Sequence, residues 1–161
     1  MIQVKTGEES GIARKLKGQS IRAEVPIENR PIRTGGAWTK KEYILFPGYV
    51  FLDMDFTARN YYRVKEVPGV IRFLGDSKAP STLSYLEAEW IRILSGNGEP
   101  LEPTLVREDG SGGITVISGV LKQLENRVLK WDKRSRKATF EITICGEARQ
   151  VQLGIEVESG G

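Results

Sequence analysis

Residues 137–145, KATFEITIC, place the strongest constraint on the fold, because polar and apolar side chains alternate along them without a break. Successive side chains of a β-strand point to opposite faces of its sheet, so this period of two predicts a strand with one buried face. The inward set is Ala138, Phe140, Ile142 and Ile144. Short apolar runs before and after it (ITVI, RVLKW, RQVQLG) are also expected to be strands. Four or five short strands in about 50 residues predict a small β-barrel, in which closure removes exposed sheet edges.

The first hundred or so residues have a different pattern, in which strand and helix signals alternate. Helices are expected after Gly7, after Thr57 as an N-cap, and after a capping box formed by Ser84 and Glu87. Strands are expected at the chain start, in IRAEVP, in YILFPGYVFLDM and in VIRFLG, with residues 28–43 as a long hairpin loop. The order β-α-β-β-α-β-α predicts an α+β fold, with an antiparallel sheet covered on one side by helices.

A change in composition separates these two patterns. Residues 96–113 contain five glycines and two prolines, which rarely continue a helix or a strand. We therefore predict a first domain at 1–98, a linker at 99–112 and a second domain at 113–161.

The absence of histidine limits the chemistry of this chain. It excludes serine–histidine and cysteine–histidine catalysis and histidine metal ligation. A single cysteine, Cys145, allows neither an internal disulfide nor a cysteine metal site. We expect a protein that is not an enzyme and has no metal site and no cofactor. No apolar run approaches the roughly 20 residues of a membrane span, and MIQVKTGEES does not resemble a signal peptide, so the expected location is cytoplasmic.

Positive charge is concentrated in one segment. The net charge is +3, but residues 122–137 alone hold seven basic and two acidic residues. Such a cluster suits an anionic partner, of which nucleic acid is the commonest. A solvated hairpin tip explains the same charge equally well.

The stretch FPGYVFLDMD, residues 46–55, divides into two faces. Strand geometry sends Tyr49 and Phe51 to one face and Val50, Leu52 and Met54 to the other. One set can pack on helices while the other stays available for a partner.

Two motifs in order resemble the NusG family of transcription elongation factors. FPGYV followed by VPGV is similar to the N-terminal (NGN) domain of that family, with its antiparallel sheet and flanking helices. Residues 117–142 resemble its C-terminal KOW motif, an SH3-like barrel, although Val120 and Asn126 stand where proline and glycine are common. The resemblance covers the chain from Ile2 to about Glu158. Within the family the sequence is similar to specialised paralogues of the LoaP type, which are antiterminators.

The resemblance implies partners and residues that bind them. A NusG-type factor binds the clamp helices of RNA polymerase through an apolar patch, and the matching polymerase-binding candidates are Phe46, Pro47, Tyr49, Phe51 and Tyr61. A core position is an equally good interpretation of the last two. A LoaP-type antiterminator implies recruitment through a nascent RNA hairpin. The KOW domain implies a possible ribosomal-protein partner, and Cys145 stands where the housekeeping factor has an aromatic residue. We expect a monomer.

Nucleic-acid contacts are predicted from the basic side chains near helices and turns. In the first domain the candidates are Arg59, Arg63, Lys65, Arg72 and Lys78; in the second they are Lys130, Lys133, Arg134, Arg136 and Lys137. Arg59 and Arg63 are four residues apart on an expected helix and so share a face. Two other functions fit parts of the sequence: a ribosome-associated KOW RNA-binding protein, and a housekeeping elongation and termination factor.

Overall fold

The computed structural model describes residues 1–75 and 80–158. Its helices and strands, in chain order, are β1 (Ile2–Val4), α1 (Glu9–Gly18), β2 (Arg22–Glu24), β3 (Ile27–Thr34), β4 (Ala37–Ile44), β5 (Tyr49–Asp53), α2 (Ala58–Lys65), β6 (Val70–Phe73), α3 (Tyr85–Leu94), β7 (Thr104–Glu108), β8 (Ile114–Ser118), β9 (Val128–Asp132), β10 (Lys137–Ile144) and β11 (Glu147–Val157). Short 3₁₀ turns lie at Gly96–Gly98, Val120–Lys122 and Glu125–Arg127.

The chain divides into two compact units that differ from the predicted domain bounds. Unit one comprises Met1–Val25 and Phe46–Ile91, and unit two comprises Pro26–Leu45 and Arg92–Gly161. Residues 104–108, which the sequence assigned to the linker, form β7, which pairs with β8 and β11. Glycine and proline dominate the composition around β7, and one of its partners comes some 50 residues later, so no local pattern identified the strand.

Unit one is an antiparallel sheet in the order β2-β5-β1-β6. Its core combines sheet residues such as Ile2 and Val50 with Ile12 and Leu16 of α1 and Val64 of α2. The two apolar residues of α1 are four apart and therefore lie on one face of the helix. The predicted α+β architecture, a sheet covered by helices, is confirmed.

Two predicted caps hold the helices of the first part. The side chain of Thr57 accepts from the Asn60 amide at 3.1 Å at the start of α2. Before α3, the Ser84 amide donates to the Glu87 carboxylate at 2.9 Å, and the Glu87 amide donates to the Ser84 hydroxyl at 3.2 Å. Each contact satisfies an amide that the helix itself leaves without a partner.

The predicted strand YILFPGYVFLDM is broken in the middle. The segment up to Ile44 belongs to β4, and β5 begins at Tyr49. Between them the Tyr49 amide donates to the Phe46 carbonyl at 3.2 Å, and Gly48 has a φ of +86°. That left-handed conformation favours glycine, so the Pro-Gly pair makes a turn and not a continuous strand.

Unit two contains a curled five-stranded sheet in the order β8-β7-β11-β10-β9. Within it β7 and β11 are parallel, and the other neighbours are antiparallel. The alternation in β10 is as predicted, since Ala138, Phe140, Ile142 and Ile144 are all buried. A Cβ atom on Gly119 would lie 2.8 Å from Thr104 Cα, so the glycine of the KOW-like motif is needed for close approach to β7.

Residues 28–43 were predicted as a loop but are mostly a regular β-hairpin. Strands β3 and β4 pair over eight residues each, from Ile27 opposite Ile44 to Thr34 opposite Ala37. The two residues of the turn, Gly35 and Gly36, both have positive φ, as a two-residue hairpin turn of the I′ type requires. The many charged residues of this segment concealed the strands, because both faces are partly polar.

Candidate polymerase and nucleic-acid interfaces

A buried carboxylate holds the turn that precedes β5. Glu9, at the start of α1, is 1% exposed and accepts from the Gly48 amide at 2.9 Å and the Gly7 amide at 2.6 Å. These contacts satisfy two amides and fix the Phe46–Tyr49 turn against the helix. Sequence reasoning missed Glu9, because an acidic residue in the first turn of a helix is ordinary and gives no sign of burial.

The predicted polymerase-binding residues of FPGYVF are not equally accessible. Phe46 and Phe51 are 5% and 3% exposed, and their rings meet edge to face with centroids 5.3 Å apart. Tyr49 is half-buried and Pro47 is exposed. On the other face, Val50 lies in the core, and Leu52 and Met54 pack against it. Val50, Leu52 and Met54 thus lie on the core side as predicted, but the opposite set is not available as a whole, because the structure supports the core position for Phe51.

Tyr61 lies at the centre of an aromatic group, which we call the aromatic cluster: Phe56, Tyr61, Tyr62 and Phe73. The Tyr61 ring stacks on Phe73 with centroids 5.1 Å apart and meets Tyr62 at 5.3 Å and Phe56 at 5.9 Å. Phe56 is 46% exposed and Tyr62 is 62% exposed. The sequence analysis selected Tyr61 alone. Tyr62 follows Tyr61 directly in α2, whereas Phe56 comes from the loop before the helix and Phe73 from β6, so the fold brings these two rings to the tyrosines.

The basic residues predicted in the first domain are mostly engaged with the fold. Arg63 donates to the Gln19 carbonyl at 2.6 Å, Lys65 to the Ile71 carbonyl at 3.0 Å, and Arg72 to the Gln3 side chain at 2.9 Å. Arg59 is exposed, whereas Lys78 lies outside the described residues. Arg63 therefore ties α2 to the end of α1, and a joint nucleic-acid contact by Arg59 and Arg63 would require breaking that bond.

The predicted basic turn, Lys130–Lys137, joins β9 to β10. Lys133 forms an ion pair with Glu108, and the guanidinium of Arg136 lies over the Trp38 ring, 4.0 Å from its centroid. Lys130 and Arg134 are exposed, and Lys137 is half-buried. The Ser135 amide donates to the Asp132 carboxylate at 3.0 Å, and that bond lowers the pKa of Asp132 below its usual range. The turn is thus ordered by its own contacts before any partner binds.

Cys145 does not lie on the strand to which the sequence assigned it. β10 ends at Ile144, and Cys145 and Gly146 form the two-residue turn to β11, with φ values of 51° and 80°. The outward orientation expected from alternation therefore does not apply. A left-handed conformation at a residue other than glycine, asparagine or aspartate is uncommon.

Two general findings bear on function. No helix in the described part of the chain is long and apolar enough to cross a membrane. Across residues 1–75 and 80–158, no three side chains of the metal-ligating types come together.

The comparisons with known proteins agree on one family. The NusG family model, described as "Transcription termination factor nusG", matches residues 1–92. "Transcription termination/antitermination protein NusG" of Helicobacter pylori strain J99 is 27% identical over 112 residues, which are 70% of this chain and 63% of that protein. The protein of the same name from Buchnera aphidicola is 28% identical over an alignment of 165 positions, 95% of this chain and 90% of that protein. The chain thus spans less than two thirds of the Helicobacter relative.

A solved structure has the same fold. The structure titled "Domain interaction in Thermotoga maritima NusG" aligns with a TM-score of 0.56 and 22% identity, over 96% of this chain and 91% of that one. The fold is an N-terminal NusG-like α+β part with a C-terminal KOW-type β-sheet, as predicted. Since the family match spans more than half of the 161 residues, the chain belongs to the NusG family.

Proposed function

We propose that this protein binds RNA polymerase through accessible aromatic side chains of unit one and promotes processive antitermination. The observation that carries the proposal is the aromatic cluster, in which Phe56 and Tyr62 expose about half of their surface or more. Exposed, contiguous aromatic side chains on a globular protein are typical of a docking surface. The partner we propose is the pair of clamp helices of the polymerase, in keeping with membership of the NusG family.

The burial of each aromatic residue determines its proposed role. Phe46 and Phe51 are buried, so they shape the surface and have little area left to give to a partner. Pro47, Tyr49 and Tyr61 remain candidates for contact, with Tyr62 added by its exposure. Tyrosine supplies a large rigid area at low cost in conformational entropy and is enriched among interface hot spots.

Binding changes termination only if the protein prefers one conformation of the polymerase. A ligand shifts a two-state equilibrium by its differential affinity for the two states, and about 1.4 kcal/mol of preference changes the ratio tenfold. We propose that the elongating, closed-clamp conformation is the preferred one. The paused and terminating conformations then lose population without any chemical step by the factor.

Retention of core RNA polymerase on the immobilised protein tests this proposal. We expect Tyr62→Ala and Tyr49→Ala each to weaken retention by tenfold or more and to reduce readthrough of a terminator in vitro. Tyr85→Ala is the matched control, because Tyr85 is 88% exposed and lies outside the aromatic cluster. Unchanged retention in Tyr62→Ala would refute the role of the aromatic cluster, and unchanged retention in Tyr49→Ala would refute that of the opposite face of the sheet. Retention of ribosomal subunits alone would favour the ribosome-associated alternative.

We also propose recruitment through a nascent RNA hairpin, with Arg59 of unit one and the basic turn of unit two as two separate candidate contacts. The support is charge, since Lys130 and Arg134 of the turn and Arg59 on α2 are exposed. Arg59→Glu should weaken hairpin binding in a gel shift and reduce the slope of log affinity against log salt by about one. An unchanged slope would place the hairpin contact away from Arg59. Glu66→Gln, a charge change just after α2, is the control.

A housekeeping elongation and termination factor is a second candidate, favoured by the name of the Helicobacter and Buchnera relatives. In that case the KOW-type sheet would contact a ribosomal protein or the termination factor Rho, near the β10–β11 turn. The two candidates predict opposite effects on termination in a purified system with Rho. Increased readthrough supports antitermination, and increased Rho-dependent release supports the second candidate. Cys145→Phe, which restores the aromatic of the housekeeping factor, should strengthen any Rho effect.

A further inference from the structure

The β9–β10 turn and hairpin β3–β4 meet at one pair of side chains within unit two. Arg136 of the turn lies over the ring of Trp38 of the hairpin in a cation–π contact, with 4.0 Å between the guanidinium carbon and the ring centroid. We propose that this pair is the centre of a binding site for a short unpaired nucleic-acid segment. The inference rests on the proposed nucleic-acid role of the basic turn and extends it by naming a base-stacking platform.

The backbone of Arg136 is held in a conformation that arginine rarely adopts. Its φ is +56°, in the left-handed region. Its carbonyl accepts from the Ile155 amide at 3.0 Å, and the preceding turn is closed by the bond from the Ser135 amide to Asp132. A residue in such a conformation persists when the surrounding contacts over-determine it, and such residues are concentrated at functional sites. The turn therefore presents the Arg136 side chain to the hairpin in a fixed direction.

The hairpin is also fixed to the sheet, so Trp38 is positioned in advance. The buried carboxylate of Glu28 accepts from the Gly154 amide of β11 at 2.8 Å. The Asn29 amide donates to the Leu101 carbonyl at 2.8 Å, and Pro31 lies where a Cβ atom on Gly154 would be. A platform that is already ordered loses little conformational entropy when a ligand binds.

The charge around the pair suits a polyanion. Residues 29–41 contain four basic residues and no acidic one. Ion pairs with Glu28, Glu102 and Glu108 partly neutralise Arg30, Lys40 and Lys133. Arg33, directly opposite Trp38 in the hairpin, and Arg134 of the turn are both exposed.

These features together select the chemistry of the ligand. Arginine and aromatic planes stack on unpaired bases, while neighbouring basic side chains contact the phosphates. The bases of a duplex are already stacked on each other and cannot use such a platform. An acidic peptide would match the charge but has no base to stack on the Trp38–Arg136 pair. The proposed ligand is therefore single-stranded RNA or DNA, which share this chemistry.

Fluorescence anisotropy of labelled eight-nucleotide RNA with the full chain tests the site, with DNA of the same sequence and the RNA duplex as further arms. We expect Trp38→Ala to weaken binding of the single strand about tenfold, or roughly 1.4 kcal/mol. Arg136→Lys keeps the charge but loses the planar group, so affinity should fall severalfold while the salt slope stays the same. Arg134→Ala should instead lower the slope by about one. Trp38→Phe keeps an aromatic ring and the hairpin packing, so we expect an intermediate loss of affinity. This variant tests the site even if Trp38→Ala does not fold.

Matched controls separate stacking from folding and from charge. Trp131→Phe replaces another tryptophan of unit two by phenylalanine, at a half-buried position on β9. Lys122→Ala removes an exposed positive charge from the 3₁₀ turn Val120–Lys122. Both should bind the single strand as the unchanged protein does. Equal affinity for the RNA and DNA single strands supports recognition by base stacking and phosphate contacts, which both share, and a higher affinity for RNA supports it as well.

Several results would overturn the site. They are wild-type affinity in both Trp38→Phe and Arg136→Lys, a duplex bound as tightly as the single strand, and a polyglutamate peptide bound with the same dependence on Arg136. Polymerase retention is measured on the same variants. A protein that retains polymerase but binds no single strand refutes this site alone, and one that binds the strand but no polymerase refutes the proposed function alone.

Discussion

Replacement of Glu9 by alanine tests whether one buried carboxylate organises the surface before β5. Glu9 is 1% exposed and accepts from two backbone amides, those of Gly7 and Gly48. Alanine leaves both amides without this acceptor, and a buried donor without a partner costs about 1–3 kcal/mol. Because Gly7 is exposed, water can replace its bond, so the cost comes mainly from Gly48. We expect unit one to lose about 1–3 kcal/mol of unfolding free energy.

Urea unfolding followed by fluorescence measures this loss in a Trp38→Phe, Trp131→Phe background, which leaves Trp90, buried in unit one, as the tryptophan that reports. Glu8→Ala is the control, since Glu8 is exposed and carries the same charge next to the start of α1. It removes only the favourable interaction of a carboxylate with the helix dipole, about 0.3–1 kcal/mol. Amide hydrogen exchange adds a local measurement, in which the Gly48 amide should exchange faster in Glu9→Ala than in Glu8→Ala. Equal destabilisation by the two variants would refute the role given to Glu9.

Two further predictions concern unit two. Gly154→Ala should destabilise it by about 1–3 kcal/mol in thermal unfolding, because the new Cβ atom would lie 2.5 Å from Pro31 Cδ. Gly110→Ala is the control and should have little effect, because a Cβ atom there would have no heavy atom within 4 Å. Asp132 has a lowered pKa in the folded protein, chiefly because the Ser135 amide donates to its carboxylate. The stability that the ionised carboxylate contributes is therefore present above the unfolded pKa and is lost as the pH falls through the folded pKa. The Ser135 amide resonance should therefore shift below about pH 4, and an unchanged resonance there, or the same shift in Asp132→Asn, would contradict that linkage.

The parts of the fold that sequence reasoning predicted correctly are those set by local chemistry. The period-two alternation of β10 and the caps at Thr57 and Ser84 depend on residues close together in the chain. Strand β7 and hairpin β3–β4 were missed for the opposite reason. One pairing partner of β7 and the burial of the hairpin are decided by contacts distant in sequence, such as that between Glu28 and Gly154.

The same distinction applies to the candidate sites. A motif identified Tyr49 and Phe51, but only packing shows that Phe51 is 3% exposed. Tyr62 and Phe56 belong to no motif and gain significance from their ring contacts with Tyr61. Charge alone selected Arg63 and Arg136, yet each has a specific partner in the fold.

Those partners change what the positive charge in this chain can do. A lysine or arginine that binds a polyanion releases counterions only if it is not already neutralised, so Lys133, paired with Glu108, contributes less to salt-dependent binding than exposed Arg134. Arg136 adds a plane as well as a charge, because its guanidinium is held against Trp38. Binding at the turn should therefore combine a salt-dependent part from Arg134 with a salt-independent stacking part from Arg136. Measurement of affinity against salt for Lys133→Ala, Arg134→Ala and Arg136→Lys separates the two parts, since the lysine variant keeps the charge and should lower affinity without changing the slope.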